Sequence, residues 1–321
     1  MSAPHAAPSV QDSDPPPGRP VEVVQRSGPP PDCDPQEVRT EHFCLRRRWH
    51  SIEITHWLQP EELDNNLAGL LAEELFAPGW LSGAEVFEHV FTKIVLSVAE
   101  APARAWAAFY DNTLARIKQC WEQPEVDAGH SSIAGFAPVY RRALDLVPPG
   151  CVLDLGSCFG FLPMLLAERG RNAVIASDLV PGSMQLLATM AAARGLELRT
   201  LVCDAAQVPL LDQAVRTVTA IHLLEHLDVE HGDAVLAEAL RLARERVVVA
   251  VPFEDEPTAA YGHVRTFTRN DLVEMGRASG FPFEVDEHHG GWLVVHTRDR
   301  ETSEPPRARR SGTSEQVRAR S

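Results

Sequence analysis

The sequence lacks the features that mark several large classes of protein. No uninterrupted apolar run approaches the ~20 residues that a membrane helix requires, and the amino terminus has no charged stretch followed by an apolar one. The six cysteines show no C-x-x-C spacing, which predicts reduced thiols rather than a zinc cluster or a disulfide framework. We therefore expect a cytoplasmic protein with no membrane partner.

Positive charge is also scarce. The chain has 30 Lys and Arg residues against 45 Asp and Glu residues, a formal net charge of -15. Nucleic acids and anionic membranes favour partners with clustered positive charge, so neither is expected here, and a small or neutral partner is favoured. The hydrophobic content of 44% over 321 residues is enough for a substantial core.

Proline-rich composition marks the amino-terminal end, and a biased composition also marks the carboxyl-terminal end. Residues 1–38 contain two Pro-Pro-Pro runs among Ser, Asp and Gly, and residues 299–321 are rich in Arg and Ser. Such segments bury too little apolar surface to offset the entropy that is lost when the chain is ordered. We expect both to be disordered tails.

Residues 39–123 are predicted to form a mainly helical N-terminal module. Residues 43–58 alternate partly between polar and apolar types, which predicts a short strand or hairpin, and apolar residues at helical spacing follow. The module is interpreted either as extra core or as a cap that shapes a substrate pocket. Residues 124–140 contain glycine and proline and are interpreted as a loop that leads into an α/β domain, which spans residues 124–298.

One stretch of this domain has the pattern of a nucleotide site. An apolar run ends in Asp154, a turn with Gly156 and Gly160 follows, and a helix is predicted next. Glycines allow a sharp turn and a close approach of the backbone to a ligand, and the helix amino terminus offers free N–H groups. The dinucleotide fingerprint G-x-G-x-x-G, placed on Gly156, fails at Cys158 and Phe161.

The next two predicted strands also end in acids. Residues 173–177 are followed by Asp178, where a carboxylate can bind two ribose hydroxyls, and residues 198–203 are followed by Asp204. Three acids at successive strand ends, with helical segments between the strands, predict a nucleotide-type cofactor site at one edge of a parallel sheet.

The pattern Asp154-x-Gly156-x-Cys158-x-Gly160 resembles the first motif, acidic-x-G-x-G-x-G, of class I S-adenosylmethionine-dependent methyltransferases. Cys158 stands in place of the middle glycine. The resemblance implies an α/β fold with a Rossmann-like seven-stranded sheet that ends in an antiparallel hairpin. It also implies S-adenosyl-L-methionine as the cofactor.

Further cofactor contacts are carried over from this resemblance. Asp178 corresponds to the acid that binds the ribose, and Asp204 and the N–H of Ala205 correspond to the groups that hold the adenine. His222, at the end of the predicted fourth strand, would touch the cofactor through its backbone.

The whole chain resembles a narrower family. The segment Leu153–Phe161, together with a tryptophan-rich helical N-terminal module, is similar to the methyltransferases of the mycofactocin pathway. These O-methylate a glucose in the oligosaccharide tail of a redox cofactor. The resemblance implies a sugar hydroxyl of a small-molecule or oligosaccharide acceptor.

Transfer to a hydroxyl requires removal of a proton, and histidine is suited to accept it near neutral pH. His226 and His263 are the candidate bases, and Glu225, which directly precedes His226, is the third candidate catalytic residue. Some relatives hold a divalent metal with a similar motif, so His222, Glu225, His226 and His263 are an alternative ligand set. Three histidines fit Mg²⁺ poorly, and we expect structural hydrogen bonds from Glu225 and His226 instead of a metal.

Three other functions remain open at this point. One is methylation of a quinone, a lipid or an amine, and another is a non-catalytic module that binds the cofactor without turnover. The third is a nicotinamide-dependent oxidoreductase, which Cys158 and Phe161 disfavour.

Overall fold

The structure is a computed structural model that describes residues 20–28, 37–123, 132–258 and 262–298. In chain order the strands are β1 (Val21–Gln25), β2 (Glu37–Arg39), β3 (Phe43–Arg47), β4 (Ile52–His56), β5 (Gly150–Leu155), β6 (Asn172–Asp178), β7 (Leu198–Val202), β8 (Val215–Ile221), β9 (Ala243–Val251), β10 (Phe283–Glu287) and β11 (Gly291–Val295). In chain order the α-helices are α1 (Leu67–Leu71), α2 (Ala84–Ser97), α3 (Pro102–Glu122), α4 (Ser132–Leu146), α5 (Phe161–Glu168), α6 (Pro181–Ala193), α7 (Val229–Leu242) and α8 (Arg269–Ala278). A π-helical turn, Ala72–Phe76, continues α1, and a short 3₁₀ helix, Leu224–His226, follows β8.

The predicted seven-stranded α/β sheet is confirmed within these residues. Its strand order is β10-β11-β9-β8-β5-β6-β7. The strands from β9 to β7 are parallel, and β10 and β11 form the antiparallel hairpin at the other edge. Parallel strands place all their carboxyl ends at one edge of the sheet, so the turns after β5, β6, β7 and β8 open on the same side.

This sheet separates two apolar cores, because side chains alternate along each buried strand. Val152 on β5 and Val248 on β9 belong to the core that also contains α4, α5 and α6. Leu153 and Val247, their chain neighbours, belong to the core that contains α7 and α8. The sheet is therefore covered on both faces, as its nearly continuous apolar strands require.

The N-terminal region extends the first of these cores. Buried residues of β1, β3, α2 and α3 form one cluster with those of α4, α5 and α6. The hydroxyl of Tyr110 on α3 donates to the carbonyl oxygen of Phe159 at 2.7 Å, and the rings of Phe109 and Phe159 lie 5.2 Å apart. Phe159 belongs to the turn after β5, so the N-terminal helix α3 packs against that turn.

Two expectations about the N-terminal half need correction. Val21–Gln25 and the first two residues of Glu37–Arg39 lie in the segment expected to be disordered, yet both stretches are strands of a four-stranded sheet with the order β1-β4-β3-β2. Val21 pairs in parallel with Ile52 and is only 6% exposed, so this strand buries apolar surface that its short sequence did not suggest. The predicted hairpin is confirmed as the antiparallel pair β3 and β4. Residues 1–19, 29–36 and 299–321 lie outside the described residues.

The expected loop at residues 124–140 is the second correction. From Ser132 onward the chain is helical, and Pro138 lies inside α4. Ile133, Ala137 and Leu144 are buried on one face of this helix, and burying that face outweighs the hydrogen bond that the proline cannot donate. Residues 124–131 lie outside the described residues.

Across the part of the chain that is described, none of the helices has both the length and the apolar character that a membrane span requires.

Candidate cofactor and acceptor site

The turn after β5 is built on left-handed backbone. Gly156 and Gly160 have φ of +66° and +76°, and between them Cys158 also has a positive φ, +51°. A Cβ at Gly156 would lie 2.6 Å from a methyl carbon of Leu223, and one at Gly160 would lie 2.4 Å from Leu187. The left-handed conformation favours glycine at both positions, and an added Cβ would also require the Leu223 or Leu187 side chain to move. Burial raises the pKa of the Cys158 thiol to about 12, so this side chain is neutral at physiological pH.

Asp154 lies beneath this turn and holds it in shape. Its side chain is buried, and its two carboxylate oxygens accept hydrogen bonds from the hydroxyls of Thr219, at 2.6 Å, and Ser157, at 2.8 Å. Burial raises the pKa of Asp154 to about 6, although these two hydrogen bonds oppose the change. Its observed contacts are with the protein, so its effect on a ligand would pass through the turn.

Asp178, at the end of β6, is connected to the same turn. One carboxylate oxygen accepts the N–H of Cys158 at 2.9 Å, and the other accepts the N–H of Val180 at 3.0 Å. Burial raises the pKa of Asp178, and the backbone hydrogen bonds oppose this only in part. The carboxylate therefore lies against the turn, where the sequence pattern predicted a ribose partner.

Asp204 follows β7 and is more exposed than the other two acids. One of its oxygens accepts the N–H of Ala206 at 2.8 Å and contacts Nε2 of His231 at 2.9 Å. Burial alone would raise the pKa of Asp204, but these hydrogen bonds outweigh it and the pKa is lowered. Sequence reasoning missed His231, because nothing in the spacing between α7 and β7 shows that this ring reaches Asp204. Ala205 lies between Asp204 and Ala206 in the same turn.

His222 directly follows β8 and has a positive φ of +53°, and its N–H donates to the carbonyl of Ala250 at 2.9 Å. Its ring lies 5.1 Å from that of Phe136, a residue of α4 that sequence reasoning did not select. Nδ1 of His222 lies 3.2 Å from a carboxylate oxygen of Glu225, and Nε2 is buried without a hydrogen-bond partner among the described residues. The segment after β8 also supplies Leu223, which packs on Gly156, so this histidine lies next to the turn.

The predicted acceptor-side residues do come together. Glu225, His226 and His263 each offer a side-chain oxygen or nitrogen, and these three atoms lie within 4.8 Å of one another. The rings of His226 and His263 are 4.9 Å apart, edge to face. The N–H of Val264 donates to the carbonyl of Glu225 at 2.8 Å, which fixes the loop after β9 against the 3₁₀ helix after β8.

Each histidine of this cluster is oriented through Nδ1. His263 contacts the carboxylate of Glu254 at 2.7 Å, and His226 contacts the carbonyl of Gly262 at 3.3 Å. Sequence reasoning missed Glu254, which is nine residues before His263 and has no motif around it. Burial lowers the pKa of His226, and the nearby Glu225 charge opposes that effect.

Glu225 differs from what we expected. It is fully buried, yet neither carboxylate oxygen accepts a hydrogen bond from any described residue. The expected structural hydrogen bonds of its side chain are therefore not made with any residue that the structure describes, although its backbone carbonyl accepts the N–H of Val264.

The sequence has known relatives in the region that builds this site. Residues 152–246 match the family described as methyltransferase domain. A demethylmenaquinone methyltransferase of Thermus thermophilus is 36% identical over 143 residues, which are 42% of this chain and 64% of that protein. The chain thus spans 64% of the length of this curated relative.

Two similar solved structures are also methyltransferases. One is the magnesium protoporphyrin IX methyltransferase from Synechocystis PCC 6803 with bound SAH, with a TM-score of 0.42 and 15% identity over 58% of this chain and 95% of that one. The other is a SAM-dependent methyltransferase from Aquifex aeolicus, with a TM-score of 0.41 and 17% identity over 57% of this chain and 96% of that one. By sequence, the segment that carries the turn and the three strand-end acids is similar to methyltransferase domains.

Proposed function

We propose that this protein transfers a methyl group from S-adenosylmethionine to a hydroxyl oxygen of a small or medium-sized acceptor. The observation that carries this proposal is the left-handed turn after β5 with Asp178 and Asp204 at the ends of the next two parallel strands. All of these residues lie in the segment that is similar to methyltransferase domains.

The polar groups at this edge suit S-adenosylmethionine. Asp178 and Asp204 offer carboxylate oxygens, which accept hydrogen bonds from ribose hydroxyls and from an adenine amino group. Each oxygen of Asp178 already accepts one backbone N–H, but a carboxylate oxygen has a second lone-pair site. Acids also attract a positively charged sulfonium group, whereas they would repel the pyrophosphate of a dinucleotide.

The bound cofactor would supply an electrophilic methyl group, and the chain's own residues would prepare the acceptor. The acceptor hydroxyl must be aligned with the methyl group and must lose its proton. His226 and His263, which follow β8 and β9, would accept this proton. Because Nδ1 of His263 is paired with Glu254, the tautomer with its proton on Nδ1 leaves the lone pair on Nε2 for the acceptor's proton.

The acceptor that we favour is a sugar hydroxyl, and the specific candidate is the mycofactocin oligosaccharide. It is supported by the resemblance of Leu153–Phe161 and of the tryptophan-rich N-terminal region to that family. A quinone acceptor is the second candidate, because the curated relative is a demethylmenaquinone methyltransferase.

The cofactor is tested by calorimetric titration with S-adenosylhomocysteine, with NAD⁺ in parallel. We expect micromolar binding of the first compound alone, and binding of NAD⁺ alone would overturn the assignment. Transfer of a radiolabelled methyl group to glycosylated small molecules is then compared with transfer to demethylated quinones. Label in the quinones alone would replace the sugar acceptor, and tight cofactor binding without transfer to any extract fraction would favour a non-catalytic module.

The role of the histidines is tested by His263→Ala. Loss of a proton acceptor should lower transfer by roughly 100-fold or more and leave the affinity for S-adenosylhomocysteine unchanged. His289→Ala, at an exposed position in the turn between β10 and β11, is the matched control. Normal turnover of His263→Ala would remove His263 from the reaction.

A further inference from the structure

The cluster of Glu225, His226 and His263 contains a buried carboxylate that lacks the partners such a group requires. Glu225 is 0% exposed, and neither of its carboxylate oxygens accepts a hydrogen bond within the described residues. An ionised carboxylate that is buried without hydrogen bonds is strongly unfavourable unless a positive charge lies beside it. Nδ1 of His222 lies 3.2 Å away but outside hydrogen-bond geometry, and the Arg265 guanidinium interacts with Glu225 electrostatically without a hydrogen bond to its carboxylate.

The two histidines are arranged as metal ligands commonly are. Metal-binding histidines usually donate the N–H of the nitrogen that does not bind the metal to a carboxylate or a backbone carbonyl, which fixes the tautomer and the ring orientation. Nδ1 of His263 contacts the carboxylate of Glu254, and Nδ1 of His226 contacts the carbonyl of Gly262. With protons on both Nδ1 atoms, each ring has its lone pair on Nε2.

We propose that Glu225, His226 and His263 bind a divalent first-row transition cation. One ligand atom from each of the three residues lies within 4.8 Å of the others, a spacing that a single ion can bridge. Two imidazoles and one carboxylate suit Zn²⁺, Fe²⁺, Co²⁺ or Mn²⁺, whereas Mg²⁺ prefers oxygen ligands. His222 is outside the three-residue cluster, which differs from the four-residue set considered from the sequence.

Three protein ligands leave coordination positions open, as in catalytic metal sites. A hydroxyl that binds at such a position becomes more acidic, which would activate an acceptor for methyl transfer. This role of the cation rests on the proposed function. A lone pair that is given to a cation cannot accept the acceptor's proton, so with the cation bound that proton would leave to solvent rather than to His226 or His263.

The experiment measures metal binding in the absence of cofactor. The full chain is freed of metal with a chelator and titrated calorimetrically with Co²⁺ and, separately, with Mg²⁺, and visible absorption reports the coordination of Co²⁺. We expect one Co²⁺ per chain and no comparable binding of Mg²⁺. Glu225→Gln and His263→Gln should each weaken Co²⁺ binding at least tenfold, and Glu254→Gln, which acts on the site through the orientation of His263, should weaken it roughly 10- to 100-fold.

The exposed pair His288 and His289 offers a matched control. Its rings are also 4.9 Å apart, as are those of His226 and His263, but it lies in a hairpin turn. The double variant His288→Gln/His289→Gln should bind Co²⁺ like the parent protein. Loss of Co²⁺ binding in this control alone, or equal binding of Co²⁺ and Mg²⁺, would overturn the proposal, as would the absence of Co²⁺ binding.

Titration of each variant with S-adenosylhomocysteine separates this outcome from the cofactor assignment. Glu225→Gln and His263→Gln are expected to retain cofactor affinity, which also shows that they are folded. Binding of Co²⁺ without binding of S-adenosylhomocysteine would support the metal site and refute the proposed function. Binding of S-adenosylhomocysteine without binding of Co²⁺ would support the proposed cofactor and refute the metal site.

Discussion

Replacement of Asp178 tests both the turn and the cofactor site. In the folded protein its carboxylate accepts two backbone hydrogen bonds, from Cys158 at 2.9 Å and from Val180 at 3.0 Å. In the proposed complex it also binds the ribose. Asp178→Ala removes all of these acceptors, whereas Asp178→Asn keeps one carbonyl oxygen and replaces the other oxygen with a donor group.

The two effects have different expected sizes. A hydrogen bond to a charged group contributes about 1.5–3 kcal/mol, so loss of the ribose contact should weaken cofactor binding roughly 10- to 150-fold. The N–H groups of Cys158 and Val180 belong to residues of intermediate exposure, and water can replace part of what they lose. We therefore expect Asp178→Ala to lower the free energy of unfolding by about 2 kcal/mol. This is near the lower end of the cost of leaving two backbone N–H groups without an acceptor.

Calorimetric titration with S-adenosylhomocysteine and urea unfolding measure the two quantities separately. Asp145→Ala is the control, because Asp145 is an exposed acid on α4 just before the amino end of β5, away from the edge that carries the site. Lower stability with an unchanged dissociation constant would leave Asp178 as a structural acceptor only. If neither the dissociation constant nor the free energy of unfolding changes, Asp178 neither binds the cofactor nor stabilises the turn.

Three further predictions concern titration and backbone conformation. Burial raises the pKa of Asp154 from 3.8 to about 6, so its contribution to stability is complete below pH 3.8 and is lost as pH rises through about 6. Asp154→Asn should therefore gain about 3 kcal/mol of unfolding free energy relative to the parent between pH 4 and pH 7. Parallel plots of unfolding free energy against pH for the two proteins would contradict this. Burial lowers the pKa of His56 from 6.5 to about 4, so its contribution to stability is present above pH 6.5 and is lost as pH falls towards 4. Over that fall in pH, His56→Phe should gain about 3 kcal/mol of unfolding free energy relative to the parent, as measured by urea unfolding at each pH. Cys158 has a φ of +51°, a left-handed conformation that is unfavourable for alanine, so Cys158→Gly should be more stable than Cys158→Ala by about 1 kcal/mol. Equal melting temperatures of the two variants would show that the backbone at this position is not strained.

The order of elements in the α/β domain could be predicted from local patterns. Strands that are buried on both faces are apolar nearly throughout, and the left-handed backbone of the turn after β5 favours glycine, so both can be recognised from a few consecutive residues. Asp154, Asp178 and Asp204 could be selected for the same reason, since each directly follows or ends an apolar run.

The N-terminal strand β1 and the helix α4 could not be predicted in this way. β1 is stabilised by parallel pairing with β4, about thirty residues further along the chain, and no pattern of five residues shows that partner. The helix α4 continues through Pro138 because its apolar face is covered by the core, which local propensity does not include.

The amino-acid sequence by itself determined the residue types at the site and their positions at strand ends, because these depend on neighbours in the chain. Only the tertiary structure decided what those residues contact. It placed Asp154 beneath the turn, brought Glu254 to His263 and His231 to Asp204, and left the Glu225 carboxylate buried with no hydrogen bond from the described residues. The burial of a side chain and its hydrogen-bond partners depend on residues that are distant in sequence. Together they decide the charge and the chemistry of an acid or a histidine.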